Sequence, residues 1–322
     1  NTPLKNDNCN LLCYPGSAGE QYAIENNSAY AIANNSINSI PETDISEFEY
    51  TILDDGNVEL TKFIGTSTDI VIPAKIEGKP VVSIAASCFS SKKTITSVIV
   101  PQGVKSIGWR GFAECTNLKS IVIPDSVTTI GEKVFYKCTA LQDVKLSKNL
   151  TAIPERAFEK CYALEQIKLP DSLIKVGDYS FFMAEKLDNV VIPESVTYIG
   201  DGAFQYCDEL SNIIAPDELD YLGGWAFNGT KFVKNVTTDF VYLGKWIVYS
   251  NDTAMTSAKI KDGTKGISSW GMGYTRKLAT LYLPNSLKTI NSSAFNYSDG
   301  ISDIYFDGTR AEWNNVVIAT EP

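Results

Sequence analysis

The chain of 322 residues contains no histidine. That absence removes every Ser-His-Asp and Cys-His catalytic arrangement and every His-ligated zinc site. Positive charge is scarce beside negative: 28 Lys and Arg stand against 38 Asp and Glu, a formal net charge of −10. Such a surface repels phosphate backbones and anionic membrane surfaces, so nucleic acid is not an expected partner. No apolar run approaches the roughly 20 residues of a membrane span, so no membrane insertion is expected. Seven cysteines (Cys9, Cys13, Cys88, Cys115, Cys138, Cys161, Cys207) are an odd number and leave at least one thiol unpaired. A chain this long can build its own core, which makes a disulfide-stapled scaffold a poor reading. Cys9 and Cys13 are close enough to pair in principle and stay unassigned. Position 1 is Asn rather than Met and no signal-peptide pattern follows, so a processed chain or a piece of a longer protein is expected.

What is present is a repeat. Phe89, Phe112, Phe135, Phe158, Phe181, Phe204 and Phe227 stand 23 residues apart. Pro101, Pro124, Pro170, Pro193 and Pro216 keep the same step, with Ser147 in the missing place. So do Cys115, Cys138, Cys161 and Cys207, with Ala184 in the gap, and the column from Leu118 through Leu141, Leu164 and Leu187 to Leu210. A fifth column runs Ile107, Ile130, Ile153, Val176, Ile199, Leu222. One unit reads Ile-Pro-x-x-Val-x-x-Ile-Gly-x-x-x-Phe-x-x-Cys-x-x-Leu-x-x-Ile-x. Leu118-x-x-Ile121-x-Ile123 predicts a short strand that Pro124 ends by removing a ladder donor. Val127-x-x-Ile130 predicts a second extended piece. Gly131 to Cys138 predicts a short helical or 3₁₀ turn with Phe135 and Cys138 inward. Such a unit cannot bury its apolar side alone, whereas stacked copies bury a continuous core. Nine turns about 4.8 Å apart predict a rod on the order of 40 Å long.

The register continues at Ile267, Met272, Leu278 and Leu281, then at Pro284, Phe295, Ile301 and Ile304. Residues 228–257 break it. Val241-Tyr242-Leu243 and Trp246-Ile247-Val248-Tyr249 flank a Gly-Lys turn, which predicts an inserted β-hairpin in place of one turn. Tyr50 to Phe63, turning at Asp54-Asp55-Gly56-Asn57, predicts a hairpin that caps the open start of the stack. Thr309-Arg310-Ala311-Glu312 has the spacing of a capping box, which would lay Trp313 over the last turn. Residues 18–27 predict a short amphipathic helix.

With these residues in view, the sequence resembles the BspA-like leucine-rich repeats of bacterial surface proteins. Ile123-Pro124-Asp125-Ser126-Val127-Thr128-Thr129-Ile130-Gly131, then Phe135, Cys138 and Leu141, carry the likeness. The resemblance implies an α/β class, mostly β: a right-handed leucine-rich-repeat solenoid with a parallel ladder. It also implies an extracellular or cell-surface location, adhesion or protein binding, and no catalytic residues or cofactor. Cys13-Tyr14-Pro15-Gly16-Ser17 and Tyr22 to Asn27 are similar to the segment that closes such arrays. The implied organisation is 1–46 as a closing-type segment plus linker, 47–82 as hairpin cap and first repeat start, 83–227 as repeats, 228–257 as inserted hairpin, and 258–322 as last repeats and C-terminal cap.

Candidate chemistry is thin. Asp54-Asp55-Gly56-Asn57 lacks the ordered acidic spacing of a calcium loop, and Gly271-Met272-Gly273 does not follow a strand of a βαβ unit. The cysteine column suits small core residues better than a metal or redox centre. Along a strand side chains alternate, so the residue between the two Ile of Leu-x-x-Ile-x-Ile points to solvent. That position holds Ile99, Val122, Lys145, Lys168, Val191, Ile214, Tyr282 and Tyr305. β-Propensity in a tight ladder explains apolar residues there, and so does an exposed ribbon that contacts a partner, with the two tyrosines as anchors. The hairpin residues Trp246 and Tyr249 are the second candidate site. The expected function is therefore a non-enzymatic surface protein that binds a protein or host-matrix component, of unstated oligomeric state. A carbohydrate module with Trp225, Trp246, Trp270, Tyr274, Tyr282 and Tyr305 as stacking platforms is one alternative; a passive stalk is the other.

Overall fold

The computed structural model describes residues 41–319. The closing-type segment, the helix expected at 18–27, and Cys9 and Cys13 lie outside the described residues. The rest is a parallel β-solenoid of about 11 turns, mostly β. The stack is longer than the nine turns that the spacing predicts.

Each repeat supplies two short strands. Three-residue strands form the first ladder, as in Ser97–Ile99, Ser120–Val122 and Asp143–Lys145, which pair in parallel with residues 23 apart opposite each other. Two-residue strands form the second ladder, as in Ser106–Ile107 and Thr129–Ile130. Between the ladders Leu118, Ile121, Ile123 and Val127 are buried, each apolar column stacked on its copies. Phe63 and the seven repeat phenylalanines are fully buried and stack ring on ring; Phe158–Phe181 and Phe181–Phe204 have centroids 5.2 and 5.0 Å apart with planes 4° apart. Each buried Phe contributes on the order of 1.5–3 kcal/mol.

The segment after each Gly is not a helical turn. Lys133 and Lys137 have φ of 57° and 58°, and the same two places in other repeats are also left-handed. The amides of Lys133, Phe135 and Lys137 donate to Glu155, Ala157 and Glu159 of the next turn at 3.0, 2.9 and 2.8 Å. A helix would spend those donors within the segment; the stack draws them outward instead, and two tight turns result. Helix among the described residues is confined to short pieces at Ile45–Glu47, Lys231–Lys234 and Arg310–Trp313. Gly131 is needed for close approach, since a Cβ there would lie 2.4 Å from the Trp109 amide nitrogen.

Two hairpins organise the stack. Phe48–Ile52 and Val58–Phe63 pair antiparallel, and the second strand then pairs in parallel with Lys79–Ile84. Phe240–Leu243 and Trp246–Ser250 do the same, and Trp246–Ser250 pairs in parallel with Gly266–Ile267. The second hairpin therefore lies within the ladder. It is the wall between two cores. Val241, Leu243, Trp246 and Val248 pack into the N-terminal core, while Phe240 and Ile247 pack into the C-terminal one. Alternation along a strand produces this division. At the same junction Lys265 pairs with Glu218, Lys245 with Asp217 at 3.0 Å, and Asn291 Nδ2 donates to the Leu222 carbonyl at 2.7 Å. At the far end the capping box forms: the Glu312 amide donates to Thr309 Oγ1 at 3.2 Å and the Thr309 amide to Glu312 Oε2 at 2.7 Å. Trp313 then packs on Phe306, ring centroids 5.3 Å apart.

Candidate functional site

The solvent face of the first ladder is positioned by strand alternation alone, and the structure divides it. Ile99 and Val122 are buried, although alternation predicts exposure. They stand in a continuous four-strand sheet between Val71 and Lys145, where neighbouring side chains cover each other's flanks. Lys145 is half-buried and Lys168 is exposed. Val191 and Ile214, opposite each other in a two-strand sheet, are 55% and 54% exposed. Tyr282 and Tyr305, 42% and 53% exposed, stack with centroids 5.0 Å apart and planes 15° apart. Lys259 lies next to Tyr282 in the same register. Among the described residues no ladder pairing joins Asn212–Ile214 to Ser257–Lys259. The expected ribbon is thus two exposed patches, Val191 with Ile214 and Tyr282 with Tyr305, rather than one strip.

The hairpin does not offer the second surface. Trp246 is fully buried in the wall between the cores, and Tyr249 is half-buried against the N-terminal core. Trp225 behaves in the opposite way to Trp246. Its column is next to the buried phenylalanine column, yet its left-handed backbone (φ 55°) turns the ring out, and it is exposed. Trp270 (φ 63°) is half-buried beside it, with ring centroids 5.0 Å apart. The signal was in the 23-residue step itself, but the side-chain direction depends on a backbone conformation that spacing does not encode.

Among the described residues the strongly shifted ionisable groups include the core thiols. Burial pushes the Cys88 and Cys115 thiols up to about 12 and raises Cys138, Cys161 and Cys207 as well. Their sulfurs donate to phenylalanine carbonyls, as Cys138 Sγ does to Phe112 at 3.1 Å, so they remain thiols packed in the core. Burial also raises Asp201, against a hydrogen bond from the Gly224 amide at 2.7 Å. Its other partner is the Tyr221 hydroxyl at 3.3 Å, and both contacts tie one turn to the next. Asp55 accepts from the Asn57 amide at 3.0 Å, which closes a turn and holds its carboxyl below the usual carboxylate range. No group of metal-ligating side chains is assembled among the described residues, and no described helix is long and apolar enough to cross a membrane.

The model of the BspA-type leucine-rich repeat region matches residues 66–187 and 174–302, in 6 copies. The chain belongs to the BspA-type leucine-rich repeat family. Among solved structures, a leucine-rich repeat protein of T. pallidum shares 27% identity over 62% of this chain and 97% of its own, with a TM-score of 0.58. A leucine-rich cell surface protein of Faecalibacterium prausnitzii shares 19% identity over 88% of this chain and 99% of its own, TM-score 0.51. A leucine-rich repeat protein from Bacteroides ovatus shares 21% identity over 87% of this chain and 79% of its own, TM-score 0.50. The last two show a common fold only. No curated protein matches the chain.

Proposed function

We propose that this BspA-type repeat protein is a non-enzymatic binding protein of a bacterial surface or its exterior, acting on a protein or host-matrix partner. The observation that carries the reading is the regular presentation of Val191, Ile214, Tyr282 and Tyr305, all more than two-fifths exposed on strands held rigid by the stack. Isolated apolar residues on a surface are ordinary, but ordered pairs on a fixed ladder suit a partner's apolar anchors. Stacked tyrosines add large area with polar tips at low entropic cost. Polar neighbours such as Ser211, Asn212, Ser302 and Asp303 supply a rim. The cell-surface name of the F. prausnitzii neighbour and the usual use of repeat solenoids support the location and the partner class.

The test is binding of the purified chain to a panel of matrix proteins beside the double variant Ile214→Lys with Tyr282→Glu. Both positions are exposed, so the circular dichroism spectrum is expected to stay unchanged while binding weakens about tenfold or more. Full binding by the folded variant, or no binding by the parent chain, overturns the proposal for the ladder face.

A further inference from the structure

A second exposed surface lies away from the ladders, on the edge formed by the left-handed turns. Trp225, Tyr274 and Tyr297 are 40%, 46% and 48% exposed. With Trp270 they form one contiguous cluster: Trp225–Trp270 centroids are 5.0 Å apart, Trp270–Tyr274 5.7 Å, Trp270–Tyr297 5.8 Å, and Tyr274–Tyr297 5.1 Å with planes 15° apart. All four residues have φ between 55° and 63°. Such backbone is unfavourable for an L-residue, and glycine would adopt it without that cost. One turn earlier in the same two columns stand Gly202 and Gly229, which place no side chain beside Trp225 and Tyr274.

The charge pattern along this edge decides the chemistry. The turns 131–138 and 154–161 carry Glu132, Lys133 and Lys137, then Glu155, Arg156, Glu159 and Lys160. The last three turns, 223–230, 268–275 and 291–298, carry no charged residue. They consist of aromatic, glycine, serine, threonine and asparagine residues with the core positions Ala226, Ala294 and Met272. The half-exposed amides of Asn228 and Asn296 stand on this edge, each immediately before the second column, and their side chains bond to no described residue. Flat rings offer faces to the C–H surface of a pyranose; unengaged amides offer both a donor and an acceptor to its hydroxyls. Charge enters only at the flanks, at Lys231, Arg276, Lys277 and Asp299, so the turns themselves give an acidic polymer or a phosphate nothing to pair with.

We propose that the Trp225–Trp270–Tyr274–Tyr297 edge binds a neutral oligosaccharide. The site is separate from the ladder face, and its failure would leave the protein-binding reading standing.

The experiment titrates the purified chain with cellohexaose, maltohexaose, xylohexaose and mannohexaose, read by tryptophan fluorescence and saturation-transfer NMR. At least one hexasaccharide is expected to bind at millimolar concentration or better. Tyr274→Gly with Tyr297→Gly is expected to weaken it about tenfold by removing two stacking faces. Glycine suits the left-handed backbone at both sites, so the variant keeps its fold. If it does not, Asn228→Ala with Asn296→Ala decides, since no internal hydrogen bond is lost. Failure of all four sugars, undiminished binding by the folded variants, or retention of only proteins or acidic glycans overturns the proposal.

Discussion

At the scale of the residue, the cysteine column shows how position sets chemistry. Five thiols are buried in the stack, and desolvation raises every one of them. At pH 8 they are protonated and shielded, so a thiol reagent added to the native chain is expected to label at most two of the seven cysteines. A third label before unfolding would contradict the burial. The same shifts set a pH dependence. An unfolded thiol ionises near its ordinary value of 9.0, while a buried one resists ionisation. Stability is therefore complete below that value and falls as pH rises through it, toward the raised value near 12. A denaturant midpoint that rises between pH 8 and pH 10 would contradict this sign.

At the scale of the element, the repeat is held by like-on-like columns more than by strand length, because most strands have only two or three residues. The phenylalanine stack is the deepest of these columns. Phe158 sits fully buried between Phe135 and Phe181 at 5.2 Å from each. Phe158→Ala removes a ring with two stacked partners and is expected to cost about 3–5 kcal/mol, read from the shift of the urea midpoint. A loss under about 1 kcal/mol would mean that the column can collapse around the gap. The turns between strands were legible as punctuation, through Gly131 and its counterparts, but not as conformation. A Gly-x-x-x-Phe-x-x-Cys spacing suits a helical turn as well as a pair of left-handed turns. The hydrogen bonds to the next repeat decide between them, and they exist only once the repeats stack.

At the scale of the molecule, the second hairpin joins two cores. Trp246 projects into the N-terminal core and Ile247 into the C-terminal one. In a solenoid each turn contacts only its neighbours, so cooperativity passes through such a wall. Trp246→Ala is expected to destabilise the chain by about 3–5 kcal/mol and to split one unfolding transition into two, as seen by calorimetry. A single transition in the variant, shifted by less than about 1 kcal/mol, would show that the salt bridges and the Trp225–Trp270 contact couple the blocks without the tryptophan. Loss of any binding in that variant would reflect the fold, which is why the ladder and edge variants avoid it.

By itself the sequence determined the period, the buried columns, both hairpins, the terminal capping box and the family, because each rests on spacing or on turn chemistry that local residues dictate. The tertiary structure decided which repeated positions face solvent. Ile99 and Ile214 occupy the same place in the repeat, yet one is covered by its ladder neighbours and the other is open. Trp225 and Trp246 are the same residue type near the same break in register, yet a left-handed backbone exposes the first and a shared wall buries the second. Exposure depends on what the neighbouring turn places alongside, and that information is carried by the stack rather than by any single repeat.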